Sequence, residues 1–478
     1  MTGFKQAGFI LSPLLAVGVL CLPVSDGLSG EAIRVLAIAT LMIGWWVSEA
    51  VPIPVTALLP MLLLPFLGVT EMKAAAAPYA HPIVYLFFGG FMLALALEKW
   101  NLHRRIALNI VRMTGTHADG IILGFMLSSA FLSMWISNTA TTLMMLPIAL
   151  SVVALLVGGQ QQALTAGQRG NFSLSLMLGI AYASSIGGLS TLIGTPPNVI
   201  FKGLLKQNFG TEVSFMDWML LALPFSVLML AATYLVLVRW LFPNRLGEIA
   251  GASDIILSEV RGLGRMETGE RRTMIVFLLT AGLWVFGGVL NQLNPYFKLS
   301  DEMVAILAVL LLFTVPVDFR SGIFILEWKD TERLPWGILL LFGGGLSLAE
   351  ALAKTGVIQL VGDFFTDTSG SFWTIVGLAM VSILLTEIMS NLALVAIFVP
   401  VVGGIGISLG IPVVHLTIPV TMAASCAFML PMSTPPNAIV FASGHVSIRQ
   451  MVRAGIVLNL VAVLLVGLLS RTLLVWLF

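Results

Sequence analysis

Ser137-Asn138-Thr139 stands inside an apolar stretch of this chain, with Gly194-Thr195-Pro196-Pro197-Asn198 downstream of it. The same order returns later as Ser390-Asn391-Leu392, followed by Ser433-Thr434-Pro435-Pro436-Asn437. Hydroxyls and amides set in apolar surroundings are costly unless they pair or hold a ligand, and each Pro-Pro step frees backbone carbonyls that need a partner. In the first copy Ser133 precedes Ser137 by one helical turn, so their hydroxyls can share a face, and Gly187, Gly188 and Thr195 follow at a distance. If the helix unwinds at Ser137-Asn138, freed carbonyls, two hydroxyls and the Asn138 amide oxygen make an all-oxygen cage without a full negative charge. Na+ suits such a cage, whereas a divalent metal usually takes carboxylates or imidazoles, and none lies in the motif. The second copy supplies Thr386, Ser390, Asn391, Ser433 and Thr434, so one cage per copy is expected. An anion between the cages would meet amide donors, hydroxyls and the N-terminal ends of half-helices. Neither motif contains Arg or Lys, so bound cations would have to balance its charge. One Ser-Asn pair alone reads as interhelical glue, and one Thr-Pro-Pro alone as a kink. Their recurrence, in order, in both halves is what points to a binding site.

The elements that must position these residues are membrane helices. Hydrophobic residues make up 58% of the chain and charged residues 10%, with a mean hydropathy of +1.02; a soluble domain carries about 25% charge. Apolar stretches run from 8–24 to 455–478, several too short for the roughly 20 residues of a full span. The expected fold is therefore an all-α polytopic membrane protein with about 11 crossings plus re-entrant or broken segments. The first apolar stretch reads as a retained helix rather than a signal peptide, because Pro23 and Asp26 intervene before the apolar run resumes. A net charge of +1 and the lack of a basic tract with interleaved aromatics give no sign of nucleic-acid binding. Residues 243–272 carry Arg245, Arg261, Arg265, Arg271 and Arg272, whereas 291–301 carry only Lys298, which predicts a cytoplasmic side for the first loop and an outer side for the second. Cys21 and Cys426 both fall in apolar segments and are expected to be packed thiols.

Leu86 to Lys99, with Gly89-Gly90, can be laid on Leu341 to Lys354, with Gly343-Gly344, and the match continues through both later motifs. A duplicated unit thus covers most of the chain after the first helices, and an inverted arrangement is expected. Each Gly-Gly segment is followed by a polar turn, which suggests a helical hairpin that enters the membrane, turns back and brings the Ser-Asn pair to mid-membrane. Leu102 to Met113 has the basic amphipathic look of a helix at the interface. The expected organisation is N-terminal scaffold helices in 1–75, a first repeat core in 76–242, a cytoplasmic linker in 243–272, scaffold helices of the second repeat in 273–330 and a second core in 331–478.

These residues resemble the divalent-anion/sodium symporters, the INDY-type dicarboxylate transporters, over most of the chain. The resemblance rests on the Ser-Asn-Thr pattern followed by Thr-Pro-Pro, twice. It implies an elevator-type homodimer in the cytoplasmic membrane, with a static scaffold and a mobile transport domain, importing C4-dicarboxylates such as succinate, malate or fumarate with Na+. It further implies one sodium site at Ser133, Ser137, Asn138 and Gly187 or Gly188, and another at Thr386, Asn391 and Ser433. Substrate contacts carry over to Asn138, Thr139, Asn391, Thr434 and Pro435. Leu392 departs from the pattern by standing where a Thr is usual, which removes a hydroxyl from the expected substrate site.

Glu49, Glu98, Glu350, Glu387 and His415 fall within or beside apolar segments and are functional suspects for that reason. Glu387 stands out, four residues before Asn391, where it could back the second cage, carry a proton or pair with backbone. A proton-coupled carrier or an exchanger of a related anion such as citrate or sulfate is the alternative within transport. An intramembrane enzyme lacks a Ser/His or paired-Asp constellation here, and a channel lacks charged rings. The Gly-Gly runs lack the Lys-Ser or Lys-Thr of a nucleotide loop and fit close packing. Trp45, Trp46, Trp100, Trp218, Trp240 and Trp476 are expected as interfacial anchors.

Overall fold

The computed structural model describes residues 3–24, 28–158, 165–249, 251–293, 296, 298–358 and 372–478. Among them the architecture is helical, the exception being a short antiparallel pairing of Pro316–Asp318 with Ile323–Phe324. Among the described residues eight helices are long and apolar enough to cross a membrane, from Gly30–Ser48 to Ile448–Leu477, and six shorter apolar helices accompany them. The chain is a multi-pass membrane protein, and side chains such as Phe66, Leu464 and Trp476 are more than two-thirds exposed on its outer surface, as a lipid-facing surface requires.

The two copies have matching element orders. Pro82–Lys99, Ala118–Ser133, Asn138–Gly158, Ala166–Leu189, Pro196–Phe209 and Phe215–Tyr234 make up the first. Trp336–Lys354, Phe372–Thr386, Asn391–Ser408, Val413–Ala424, Pro435–Ala442 and Ile448–Arg471 make up the second. The amphipathic helix Leu102–Met113 forms as expected, with Leu102, Ala107, Leu108 and Val111 buried. Its Arg105 forms a bidentate pair with Glu270, and its Arg104 pairs with Glu259 of Ala252–Gly262, a helix within the linker. The corresponding stretch of the second copy, 359–371, lies outside the described residues.

Pro82–Lys99 and Trp336–Lys354 run unbroken through their glycines, and a turn follows each at 100–101 and 355–356. Within these helices glycine serves close approach. A Cβ on Gly89 would lie 2.6 Å from the Ala305 carbonyl oxygen, and one on Gly344 would collide with the carbonyl of Ala57. Each Gly-Gly helix thereby lies against backbone outside its own repeat core, and no larger residue allows that spacing.

Two of the tryptophans expected at the interface are core residues. Trp46 and Trp218 are each 1% exposed and donate to the carbonyls of Ile53 and Leu189, whereas Trp240 and Trp476 are exposed. Indole is large enough to fill a gap between helices and still satisfy an orphan carbonyl. Cys426 is buried as expected, while Cys21 is exposed.

The copies interlock at the centre. Ala166–Leu189, whose apolar span is wholly buried, packs against both Ala118–Ser133 and Asn138–Gly158 of its own copy and Pro435–Ala442 of the other. Pro196–Phe209 packs against Asn391–Ser408, and Pro435–Ala442 reciprocally against Asn138–Gly158. The half-helix after each Thr-Pro-Pro step therefore leans on the helix that starts at the other copy's Ser-Asn motif.

Candidate functional site

Each motif sits where a helix stops and another starts. Ala118–Ser133 ends at Ser133, and Asn138–Gly158 begins at Asn138. The Ser137 hydroxyl accepts from Ala140 N–H at 3.2 Å, satisfying one of the orphan donors of the new helix. Ser133 instead donates to Asn138 Oδ1 at 2.6 Å. The two serines do not share one helix face, because the chain leaves the helix between them. Asn138 is fixed further by Thr142, which donates to its carbonyl at 2.8 Å, and Gly188 lies so close to the Asn138 amide that no Cβ fits. Gly187 is pressed in the same way onto the backbone of Ala130. Gly194 completes the group, since a Cβ there would come within 2.9 Å of the Ser133 carbonyl and would also meet that of Gly188. Ser133 Oγ and Asn138 Oδ1 thus lie together, and the carbonyls of Ser133 and Gly188 lie close to Gly194, neutral oxygens of the kind that holds an alkali ion.

Ala166–Leu189 stops where residues 190–195 unwind ahead of Pro196–Phe209. Asn198, the last residue of the Thr-Pro-Pro-Asn run, returns its amide to the freed carbonyls, donating to Leu189 at 3.2 Å and Thr191 at 2.8 Å. Trp218 donates to Leu189 as well, at 2.9 Å, and Thr191 ties the two breaks together by donating to the Met134 carbonyl at 2.6 Å. These partners hold a broken helix that would otherwise leave carbonyls bare.

The second copy repeats the plan with one addition. Phe372–Thr386 ends at Thr386, whose hydroxyl lies 2.6 Å from both Asn391 Oδ1 and the Ala424 carbonyl. One hydroxyl proton cannot satisfy both acceptors, so oxygens again outnumber donors at the point equivalent to Ser133. Asn437 mirrors Asn198, donating to Ala427 and Leu430, each at 3.1 Å. The unwound stretch between Val413–Ala424 and Pro435–Ala442 is longer than its counterpart, and Glu387 holds it. The Glu387 carboxylate is buried and accepts from the backbone N–H groups of Phe428 and Met429, each at 2.9 Å, and of Leu430 at 3.2 Å. Ser433 Oγ at 2.5 Å and Asn459 Nδ2 at 2.8 Å complete its shell. Met134 occupies the matching place in the first copy, where the shorter break has no such need.

The motifs meet in one cavity of about 740 Å³. Asn138, Thr139, Asn391, Thr434 and Pro435, the expected substrate contacts, all line it. Of the expected sodium ligands, Ser137, Asn138, Asn391 and Ser433 reach its surface, while Ser133, Gly187, Gly188 and Thr386 stand behind that wall. The only basic side chain on the described lining is Lys5, paired with Glu49 at 3.3 Å. Sequence reasoning quoted Asn198 and Asn437 without assigning them work, and it overlooked Asn459 and the capping role of Trp218. Recurrence of Asn after Pro-Pro was the available signal for the first pair, whereas Asn459 and Trp218 carry no mark in the sequence.

The model of the sodium:sulfate symporter transmembrane region matches residues 5–478. The chain belongs to this family. It is 37% identical to the sodium-dependent dicarboxylate transporter SdcS of Staphylococcus saprophyticus, over 97% of this chain and 90% of that protein. It is also 37% identical to SdcS of a bovine strain of Staphylococcus aureus, over 96% of this chain and 89% of that protein. Among solved structures it is similar to the YdaH transporter of Alcanivorax borkumensis, with a TM-score of 0.55, 13% identity and coverage of 98% and 97% of the two chains. It is similar also to MtrF of Neisseria gonorrhoeae, with a TM-score of 0.59, 12% identity and coverage of 98% and 94%. At these identities the two structures speak for the fold alone.

Proposed function

We propose that the protein imports small dicarboxylates across the cytoplasmic membrane, coupled to Na+. One observation carries this reading: both Ser-Asn motifs and both Thr-Pro-Pro breaks face a single cavity whose walls hold hydroxyls, amides and half-helix N-termini, with neutral oxygen clusters behind them. An anion is attracted to such N–H-rich ends, but two negative charges in a low-dielectric site need compensation. Na+ held by Ser133, Ser137, Asn138 and Gly187 or Gly188, and by Thr386, Asn391 and Ser433, supplies it, and Asn138, Thr139, Asn391, Thr434 and Pro435 then contact the substrate. Cation binding orients the same asparagines that meet the anion, so filling one site prepares the other, and that shared side chain is the physical basis of coupling. The names of the staphylococcal relatives agree with this substrate and this ion.

In the same reading the two cores move as one body against the scaffold helices, the helix pairs that meet at the Ser-Asn breaks are re-entrant hairpins, the repeats are inverted, and the carrier works as a homodimer. The interlocked half-helices support a single moving body, because neither copy can shift without the other. The Glu387 carboxylate, held by three backbone N–H groups, Ser433 and Asn459, is read as a structural staple of this body.

Uptake of labelled succinate into proteoliposomes is expected to require an inward Na+ gradient. Replacing Na+ by choline should remove it, and uptake that survives the replacement would overturn the coupling. Asn138→Ala and Asn391→Ala should each abolish uptake while the protein stays folded.

A further inference from the structure

The two halves of the cavity wall are not equivalent. Aligning the copies on their Asn residues pairs Ser137 with Ser390, Thr139 with Leu392 and Thr195 with Thr434, all on the cavity surface. The first wall offers three hydroxyls and the second offers two. Gly194 pairs with Ser433, which brings no replacement, because the Ser433 hydroxyl is committed to Glu387 at 2.5 Å. Leu392 is half-buried, as Thr139 is, and both line the cavity. The equivalents of Ile388 and Met432 in the first copy, Trp135 and Ile193, are apolar and line the cavity as well, so the asymmetry is Leu392 itself, an apolar side chain at the position where the first side presents a hydroxyl.

We infer that Leu392 makes this carrier select dicarboxylates that bear an apolar substituent next to one carboxylate. The inference rests on reading the cavity as a dicarboxylate site. One carboxylate of the substrate lies on the first wall, against Thr139 and the start of the Asn138 helix. The other lies at the start of the Asn391–Ser408 helix, where it loses a hydroxyl donor but keeps the backbone N–H groups of the first turn. An alkyl group on the adjacent carbon covers Leu392, surface that an unsubstituted C4 chain leaves against water. Shape selection of this kind acts through one or two methyl groups, and each extra methylene fitted to an apolar pocket is worth about tenfold or more in discrimination.

The test is Na+-driven uptake of labelled succinate into proteoliposomes, competed by unlabelled succinate, 2-methylsuccinate and 3-methylbutyrate. In the unaltered protein 2-methylsuccinate should compete at a concentration at least about fivefold lower than succinate, and 3-methylbutyrate, with a single carboxylate, should fail to compete. Leu392→Thr should reverse the order of the two dicarboxylates. Equal competition by the two dicarboxylates in the unaltered protein overturns the inference while leaving the dicarboxylate reading intact, and it needs no variant to fold. An unchanged order in a folded Leu392→Thr protein assigns the preference elsewhere and also overturns it. Effective competition by 3-methylbutyrate shows that a second carboxylate is not required, which overturns it too. Loss of all Na+-driven succinate uptake in the unaltered protein would instead sink the dicarboxylate reading itself, and this inference with it.

Discussion

At Asn138 and Asn391 a single amide oxygen accepts a hydroxyl from the end of the preceding helix while the residue lines the cavity, and in the proposed reading it also helps to hold Na+. That arrangement survives only while its neighbours stay small or keep their hydroxyls. Gly188→Ala places a methyl group on the Asn138 amide, and the expected outcome is a rise of about tenfold or more in the Na+ concentration needed for half-maximal uptake, with the fold retained. Uptake measured against a Na+ series checks this, and an unchanged curve would free Gly188 from the site. Glu387 works differently. Glu387→Gln keeps the shape but turns an NH2 toward a ring of donors, so a loss of about 1.5–3 kcal/mol of stability is expected, seen as a lower unfolding temperature in detergent.

At the scale of elements, broken helices are tolerated because many of the freed groups have been given a partner within the protein. Asn198 and Trp218 close one helix end, and Asn437 and Glu387 serve the other copy. The unbroken Gly-Gly helices play the opposite part, as rods packed against the surroundings through bare backbone. Gly344→Ala should gain about 1 kcal/mol from helix propensity. It should lose about 1–3 kcal/mol by driving a Cβ into the Ala57 carbonyl, which is backbone and cannot swing aside. The loss wins, and a lower unfolding temperature and a poorer yield of folded protein are expected. A control at Gly282, where nothing lies within 4 Å of an added Cβ, should be neutral or stabilising.

At the scale of the molecule, a buried ion pair joins the first repeat to the helix Asp301–Thr314, a scaffold helix in the proposed reading. Lys202, on the half-helix after the first Thr-Pro-Pro, is buried and pairs with Asp301, with Glu302 at 3.5 Å. Asp301 also accepts from Phe215 N–H at 3.0 Å, so it joins the scaffold to two elements of the first core. If the cores slide as one body, this pair must part in every cycle. Lys202→Met leaves two acidic groups without their cation, at a cost of about 3–5 kcal/mol, and uptake should fall sharply. Adding Asp301→Asn to that variant should recover part of the activity, because one of the stranded charges is gone. Initial rates of the single and double variants decide it, and no recovery would mean that the pair is not coupled in transport.

Several features were legible in the sequence because they follow from local chemistry. Composition alone dictated helices in a membrane, where unpaired backbone is prohibitively costly, and the duplicated Ser-Asn and Pro-Pro signals marked where those helices had to break. Leu102–Met113 was readable from its charge pattern for the same reason. Contacts between distant segments decided the rest. Gly89 can break a helix or let one pack closely, and only the backbone of Ala305 lying against it shows which. Ser133 and Ser137 have the spacing of helical neighbours, yet the break falls between them. Nothing within a few residues of Glu387 reveals that its acceptors face the N–H groups of 428–430 or that Asn459 reaches it. Sequence carries propensity and period, which act over a few residues. Which distant group satisfies a freed carbonyl or a buried charge depends on packing, and packing exists only in the assembled tertiary structure.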